Sequence, residues 1–127
     1  MKYLLIAGSR DFNDREMFNQ VTRALIDGDE RFTVIVEGGA SGADTMAREY
    51  AEEHDMKYEE FRADWKKYGR AAGPKRNDEM TKYVAEKNGT ALFFWDGESK
   101  GTEQCIKSAG RQKLAVYVWN TVTNEFM

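Results

Sequence analysis

The regular alternation of short apolar runs with segments of helical periodicity is the feature that most constrains the fold. The apolar runs cover residues 2–7, 32–36, 90–95 and 114–119, and residues 57–62 alternate weakly and predict a further strand nearer an edge of the sheet. Between them, apolar side chains recur every three or four residues, as in a helix that buries one face. This alternation predicts parallel strands joined by helices. Because such crossovers are right-handed, we expect an α/β protein: a Rossmann-like, three-layer α/β/α fold with a mostly parallel five-stranded sheet.

Capping residues predict several element boundaries. Asn13 with Glu16 three residues later forms a near capping box, and Gly28 is placed to end the first helix. Residues 63–73 are expected to form a polar loop, and Pro74 lies where the next helix should begin. The last eight residues show no clear period.

Length and charge limit the domain count and the class of partner. A chain of 127 residues predicts a single domain spanning residues 1–127. The net charge is −3, yet residues 62–76 carry six basic residues against one acidic residue, a local +5 that leaves −8 for the remainder. A generally basic coat for nucleic acid is therefore unexpected. The basic segment itself is either a solvated loop or a local anion site.

The scarcity of cysteine and histidine excludes several chemistries. Cys105 is the single cysteine and His54 the single histidine, so neither a disulfide within the chain nor a cysteine- or histidine-rich metal site can form. We expect no metal and no resident cofactor. No signal peptide and no apolar run of membrane-spanning length is visible, which predicts a cytoplasmic protein without a membrane partner.

Glycines, small hydroxyls and charges follow four of the predicted strands. The carboxyl ends of parallel strands are where open α/β sheets bind ligands. The predicted ligand-binding residues are Gly8, Ser9, Arg10, Asp11, Gly38, Gly39, Ala40, Ser41, Gly42, Ala43, Asp44, Arg62, Asp64, Trp65, Arg70, Gly73, Lys75, Arg76, Asn77, Trp95, Gly101 and Thr102.

Two glycine-opened helix starts, at 39–43 and 101–102, point to a phosphate-bearing ligand. Glycine lets the backbone approach an anion, and a helix N-terminus offers free N–H groups and a positive dipole end. We expect Arg10, Arg62 and Arg76 to supply charge-assisted hydrogen bonds. Asp44 or Asp11 would bind ribose hydroxyls, and Trp65 or Trp95 would stack on a base.

Two other functions remain open from the residues alone. A hydrolase acting on an N-glycosidic or phosphate bond would use Glu37, Asp44, Asp96 or Glu98 as acid or base, although turn and capping roles are the favoured explanation of these residues. Single-stranded nucleic-acid binding would use the basic loop with its aromatic residues, but the negative net charge makes nucleic acid the less favoured partner.

Four motifs together resemble the SLOG superfamily, and within it the YspA-like (YspA/cpYpsA-related) branch. They are AGSRDF at 7–12, EGGASGAD at 37–44, ADWKKYGRAAGPKRNDEM at 63–80 and FFWDGESKGT at 93–102. The resemblance implies a Rossmann-like fold, a nucleotide-derived ligand such as an ADP-ribose-like molecule, a homodimer, and for some relatives a part in phage–host conflict.

The related phosphoribohydrolases of the superfamily carry a Gly-Thr followed three residues later by a glutamate, with an arginine upstream. In this chain Gly101 and Thr102 match the Gly-Thr and Arg76 matches the arginine, whereas the glutamate position is Cys105. This difference places in doubt whether the chain has the carboxylate that assists glycosidic cleavage in those relatives. The motifs of the DprA relatives are not closely matched.

Overall fold

Twelve elements build the protein, described here from a computed structural model that covers residues 2–29 and 31–127. In chain order they are β1 (Lys2–Gly8), α1 (Arg15–Asp27), β2 (Phe32–Glu37), α2 (Ala43–Glu53), β3 (Lys57–Glu60), α3 (Trp65–Tyr68), a 3₁₀ turn (Gly69–Ala71), α4 (Ala72–Glu86), β4 (Thr90–Trp95), α5 (Lys100–Arg111), β5 (Ala115–Asn120) and β6 (Glu125–Phe126).

The strands form one sheet in the order β3-β2-β1-β4-β5-β6. Strands β1 to β5 are parallel; in the central strand β1, Leu4 pairs with Ile35 of β2 and Ile6 with Leu92 of β4. The predicted α/β, Rossmann-like arrangement and its mostly parallel sheet are confirmed. Since β1 lies between β2 and β4, the chain reverses its direction across the sheet at this strand, where the carboxyl-end crevice opens.

A sixth strand corrects the predicted count of five. β6 pairs antiparallel with β5, with Phe126 opposite Trp119. The turn between them is held by the Asn120 side chain, which accepts the N–H groups of Val122 and Thr123 at 2.8 and 3.0 Å. A two-residue strand is too short to carry a period, so the sequence showed no signal for it.

Two apolar clusters fill the space between the sheet and its helices. On one face, Phe18 of α1 and Tyr50 of α2 pack against strand residues such as Ile6 and Phe94. On the other face, Met80 and Val84 of α4 and Cys105 and Ala109 of α5 cover Leu5, Val36 and Phe93. Successive strand residues alternate between the two clusters, which makes the fold three-layered.

Several boundaries differ from the sequence expectation. Asp14, not Asn13, caps α1, because its carboxylate accepts the Met17 N–H at 3.0 Å; Gly28 ends the helix as predicted. The expected polar loop at 63–73 contains α3, the 3₁₀ turn and the start of α4. Asp64 organises this segment by accepting the Lys67 N–H at 3.1 Å.

Two helix starts near the predicted ligand site are also shifted. α4 begins at Ala72, so Arg76 is its fifth residue rather than a member of its first turn. α5 begins at Lys100 with Ser99 as its N-cap, so Gly101 is the second residue of the helix. Within the described residues, no helix has the length and apolarity needed to cross a membrane.

Candidate functional site

A cavity of about 720 Å³ opens at the carboxyl ends of β1 and β4, between the first turns of α4 and α5. This volume falls within the range of small-molecule sites. Its lining includes Gly8, Ser9, Arg10, Asp11, Ala40, Asp44, Trp65, Gly73, Arg76, Asn77, Asp96, Glu98, Gly101 and Thr102, all predicted site residues. We call it the main cavity.

The N-terminus of α5 lies open at the main cavity. The preceding turn is fixed by Asp96, whose Oδ1 accepts the N–H groups of Glu98 and Ser99 at 2.9 and 2.8 Å. Ser99 makes no side-chain cap, and residues 99–102 all line the cavity. The N–H groups of the first helical turn therefore have no acceptor within the helix and face the region where an anion would bind.

The glycine loop at 38–40 is arranged differently from the sequence expectation. The Gly39 N–H donates to Glu37 Oε1 at 2.6 Å, and the Ala40 N–H donates to Asp44 Oδ2 at 3.2 Å. Both acceptors are buried carboxyl groups. These two N–H groups are thus already used inside the protein and do not form an open anion cradle.

The N-terminus of α2 is covered rather than open. Gly42 has φ +75°, and a Cβ at this position would collide with the carbonyl oxygens of Ser9 and Arg10. Only glycine fits this close approach of two loops. Gly42 and the fully buried Ala43 line no part of the main cavity. Of the two predicted helix starts, that of α5 opens into the main cavity, whereas that of α2 contributes only Ala40 and Asp44 to its lining.

Arg76 is held in place by a relay of polar contacts. Its Nη1 donates to the Gly38 carbonyl and its Nε to Asn77 Oδ1 at 2.8 Å. The Asn77 amide in turn donates to Gln104 Oε1 of α5 at 2.8 Å. This relay ties the guanidinium to the α4–α5 interface and holds it at the cavity wall.

Three basic side chains and four carboxyl groups, those of Asp11, Asp44, Asp96 and Glu98, share the lining of the main cavity. Arg10, Arg76 and Lys100 form no salt bridge with any carboxylate of the described residues. The Arg10 guanidinium lies 5.4 Å from the ring centre of Trp65, which is 49% exposed. Ser9 is buried, and its hydroxyl has no hydrogen-bond partner in the protein. An unpaired buried hydroxyl on a cavity wall is available to a ligand.

Asp44 is the carboxyl group of the main cavity whose protonation is most altered. It is 5% exposed, and burial raises its pKa from 3.8 to about 6, against the opposing effects of the Ala40 N–H and the Arg76 charge. At neutral pH this group can hold or release a proton, as a general acid or base must.

The other acid–base candidates have different surroundings. Glu37 is buried, lines neither cavity described here, and has a raised pKa because of burial and the neighbouring Glu60. Asp96 has a lowered pKa because Ser99 and Glu98 donate to it. Glu98 lies exposed at the rim. Their contacts give Glu37 and Asp96 structural roles in adjacent turns.

Cys105 lies on the wall of the main cavity, at the position of the phosphoribohydrolase glutamate. It is buried, and desolvation raises the pKa of its thiol to about 12. A neutral thiol can neither accept a proton as a carboxylate does nor act as a thiolate nucleophile.

A second, smaller cavity of about 190 Å³ adjoins the main one. The two share Arg10, Ala40, Trp65 and Arg76. The smaller cavity adds Arg62 together with Gly38, Gly39, Ser41 and Ala63. We call it the side cavity.

Some predicted site residues line neither cavity. The Trp95 indole donates to the Ser99 carbonyl at 3.1 Å and supports the turn before α5, while Lys75 lies over the ring of Tyr68. Asp64 caps α3, and Arg70 is exposed in the 3₁₀ turn. The complete set is Gly42, Ala43, Asp64, Arg70, Lys75 and Trp95, together with the acid–base candidate Glu37.

Seven lining residues were missed by the sequence reasoning. They are Ala7, Pro74, Met80, Ser99, Lys100, Gln104 and Cys105. Helical spacing from the predicted residues reaches three of them. Met80 lies seven residues after Gly73, and Gln104 and Cys105 follow Gly101 by three and four. Lys100 is adjacent to Gly101 at the open start of the same helix.

The fold and the crevice at the reversal point of the sheet define a Rossmann-like α/β domain with a ligand-sized cavity. Within that class, the chain belongs to the YspA, cpYpsA-related SLOG family, whose model matches residues 3–68. A curated relative, the Gene 61 protein of Mycobacterium phage D29, is 38% identical over 128 residues, 94% of this chain and 96% of the relative.

A solved structure shares the fold. The DNA processing protein A (DprA) of Streptococcus pneumoniae superposes with a TM-score of 0.68 at 17% identity. The match covers 93% of this chain and 50% of the DprA chain, so this chain spans half the length of that protein.

Proposed function

We propose that the protein binds a nucleotide-derived ligand in the main cavity, with a phosphate at the N-terminus of α5. The observation that carries the proposal is the convergence at one wall of the uncapped first turn of α5 with positive charge from Arg10, Arg76 and Lys100. A helix N-terminus and nearby arginines both favour a phosphate over a neutral group. Membership of the SLOG family supports a nucleotide-related role.

We assign contacts with the base and the ribose to other residues of the main cavity. Trp65 is exposed at the rim and offers a face for base stacking, which leaves Trp95 with the structural role of its indole hydrogen bond. Asp11 and Asp44 are the carboxylates for ribose hydroxyls, and the free Ser9 hydroxyl is a further partner.

Identification of the molecule that co-purifies with the protein tests the proposal. Mass spectrometry of the supernatant after denaturation is expected to show a phosphate-containing nucleotide. Calorimetric titration of the ligand-free protein with nucleotides, including ADP-ribose and its cyclic forms, is expected to give a dissociation constant below about 1 mM for at least one. An empty supernatant together with no binding in the panel contradicts the proposal.

A second candidate function, hydrolysis of the bound ligand, is favoured by one observation, the buried Asp44 with its raised pKa in the cavity wall. In this alternative Asp44 protonates the leaving group at an N-glycosidic or phosphate bond. Chromatography of the ligand after incubation with stoichiometric protein distinguishes the two functions. Cleavage that is lost in Asp44→Asn supports hydrolysis, whereas an unchanged ligand supports binding alone.

The cellular setting is also part of the proposal. The phage-encoded relative supports a role in phage–host conflict. We propose that the protein is cytoplasmic. We also propose that it forms a homodimer, because apolar side chains such as Tyr117, Phe126 and Met127 are exposed. Light scattering of the purified protein measures the assembly directly, and a monomer mass at micromolar concentration contradicts the dimer.

A further inference from the structure

The side cavity differs in charge from the main cavity. The main cavity mixes basic residues with Asp11, Asp44, Asp96 and Glu98. The side cavity has three arginines in its lining, Arg10, Arg62 and Arg76, and no carboxylate. A small space with this lining favours an anionic group over a neutral one.

The volume of the side cavity limits what it can hold. Its volume is about 190 Å³, against about 720 Å³ for the main cavity. The side cavity therefore suits one group of a larger ligand rather than the whole ligand. The shared wall of Arg10, Ala40, Trp65 and Arg76 makes it an extension of the main cavity.

Arg62 is the residue that distinguishes the side cavity. Its Nε pairs with Glu60, and its side chain is 70% exposed. Gly39, with φ +75°, leaves room for it, because a Cβ there would lie 3.1 Å from Arg62 Cγ. Glu60 is only 20% exposed and takes the Nε of Arg62, so the remaining N–H donors of this exposed guanidinium are the ones that a ligand anion can contact.

From these observations we infer that the side cavity binds a second anionic group of the ligand, with Arg62 as the residue that selects it. The inference rests on the proposed function and narrows its ligand class. The ligand is a nucleotide with an anionic group beyond its first phosphate, a diphosphate or a bisphosphate, rather than a nucleoside monophosphate.

Titration of three probes in the adenosine and guanosine series tests the inference. The probes are the 5′-monophosphate, the 5′-diphosphate and the 3′,5′-bisphosphate, so that adjacent and separated second phosphates are distinguished. Wild-type protein is expected to bind a two-phosphate probe at least about tenfold more tightly than the monophosphate. Arg62→Gln is expected to reduce that preference for two phosphates to less than about twofold.

Arg15→Gln is the matched control, because Arg15 is also an exposed arginine paired with a glutamate and lines none of the cavities described. Arg15→Gln should leave the preference for two-phosphate probes over the monophosphate unchanged. Equal wild-type affinity for one and two phosphates, or an equal loss for all probes in Arg62→Gln, overturns the inference while the proposed function stands. Absence of binding to every probe overturns both.

Discussion

The protonation of Asp44 makes a quantitative prediction for the variant Asp44→Asn. The Asp44 carboxyl group is 5% exposed and accepts the Ala40 N–H at 3.2 Å. Burial raises its pKa even though Arg76 and Arg10 act in the opposite direction. Asparagine keeps an oxygen for the Ala40 N–H and does not ionise, so the variant removes the cost of burying the charge.

The sign and size of the effect follow from the change in pKa on folding. Since the folded protein holds the Asp44 proton more tightly than the unfolded chain, the stability contributed by this group falls as pH rises from 3.8 through about 6. At about 1.4 kcal/mol per pKa unit, the full loss is about 3 kcal/mol. Between about pH 4 and about pH 8, the free energy of unfolding of Asp44→Asn should rise by about 2.5 kcal/mol relative to that of the wild type.

Urea unfolding of both proteins at these two pH values measures the effect. With a denaturant slope of about 2 kcal/mol per molar, the difference in midpoint between variant and wild type should change by roughly 1 M. Asp96→Asn is the control, because the Asp96 pKa is lowered below 3.8 and its stabilising effect is lost only at more acidic pH, so its stability difference should be nearly the same at both pH values. A stability difference for Asp44→Asn that is the same at both pH values would refute the reasoning that burial outweighs the arginine charges.

Three further outcomes are expected. Gly101→Leu should weaken nucleotide binding at least tenfold, because the leucine side chain enters open space at the wall of the main cavity. Gly110→Leu is the control, since its side chain also enters open space but lies away from the cavity, and it should not weaken binding. Calorimetry compares the two variants, and equal affinity would contradict a phosphate at α5. Gly8→Ala should cost about 3 kcal/mol in urea unfolding because its Cβ would lie 2.5 Å from the Phe94 carbonyl oxygen and 2.9 Å from the Ala43 Cβ, and an unchanged midpoint would contradict this packing. Single-stranded oligonucleotides should show no mobility shift at moderate salt, and a shift lost on charge reversal of Lys66 and Lys67 would instead favour the nucleic-acid alternative.

The parallel sheet could be predicted from the sequence, because a strand that is buried on both faces is apolar along its whole length. Runs such as 91–95 are apolar throughout, and five of the six residues of β4 are buried. Short elements lack this signal. α3 has four residues and no buried side chain, so no apolar period could mark it inside the polar segment 63–73.

The site was predictable in location and less so in detail. The strand-end rule places Gly8, Arg10 and Gly101 at one cavity, because it depends only on topology. The direction of individual N–H groups depends on side-chain packing instead. Nothing in the spacing of Gly38 to Gly42 shows that Glu37 and Asp44 turn inward and take two of the loop's donors.

Those two donated N–H groups have a consequence for the motion of the loop. Gly39 and Ala40 lie outside every helix and strand, where backbone amides normally exchange with solvent deuterium quickly. Here their hydrogens are held by the carboxyl oxygens of Glu37 and Asp44, both buried. They should therefore exchange at rates typical of sheet amides. Each opening that releases them also exposes both carboxyl groups to water, which lowers their raised pKa values and favours the release of any proton they hold.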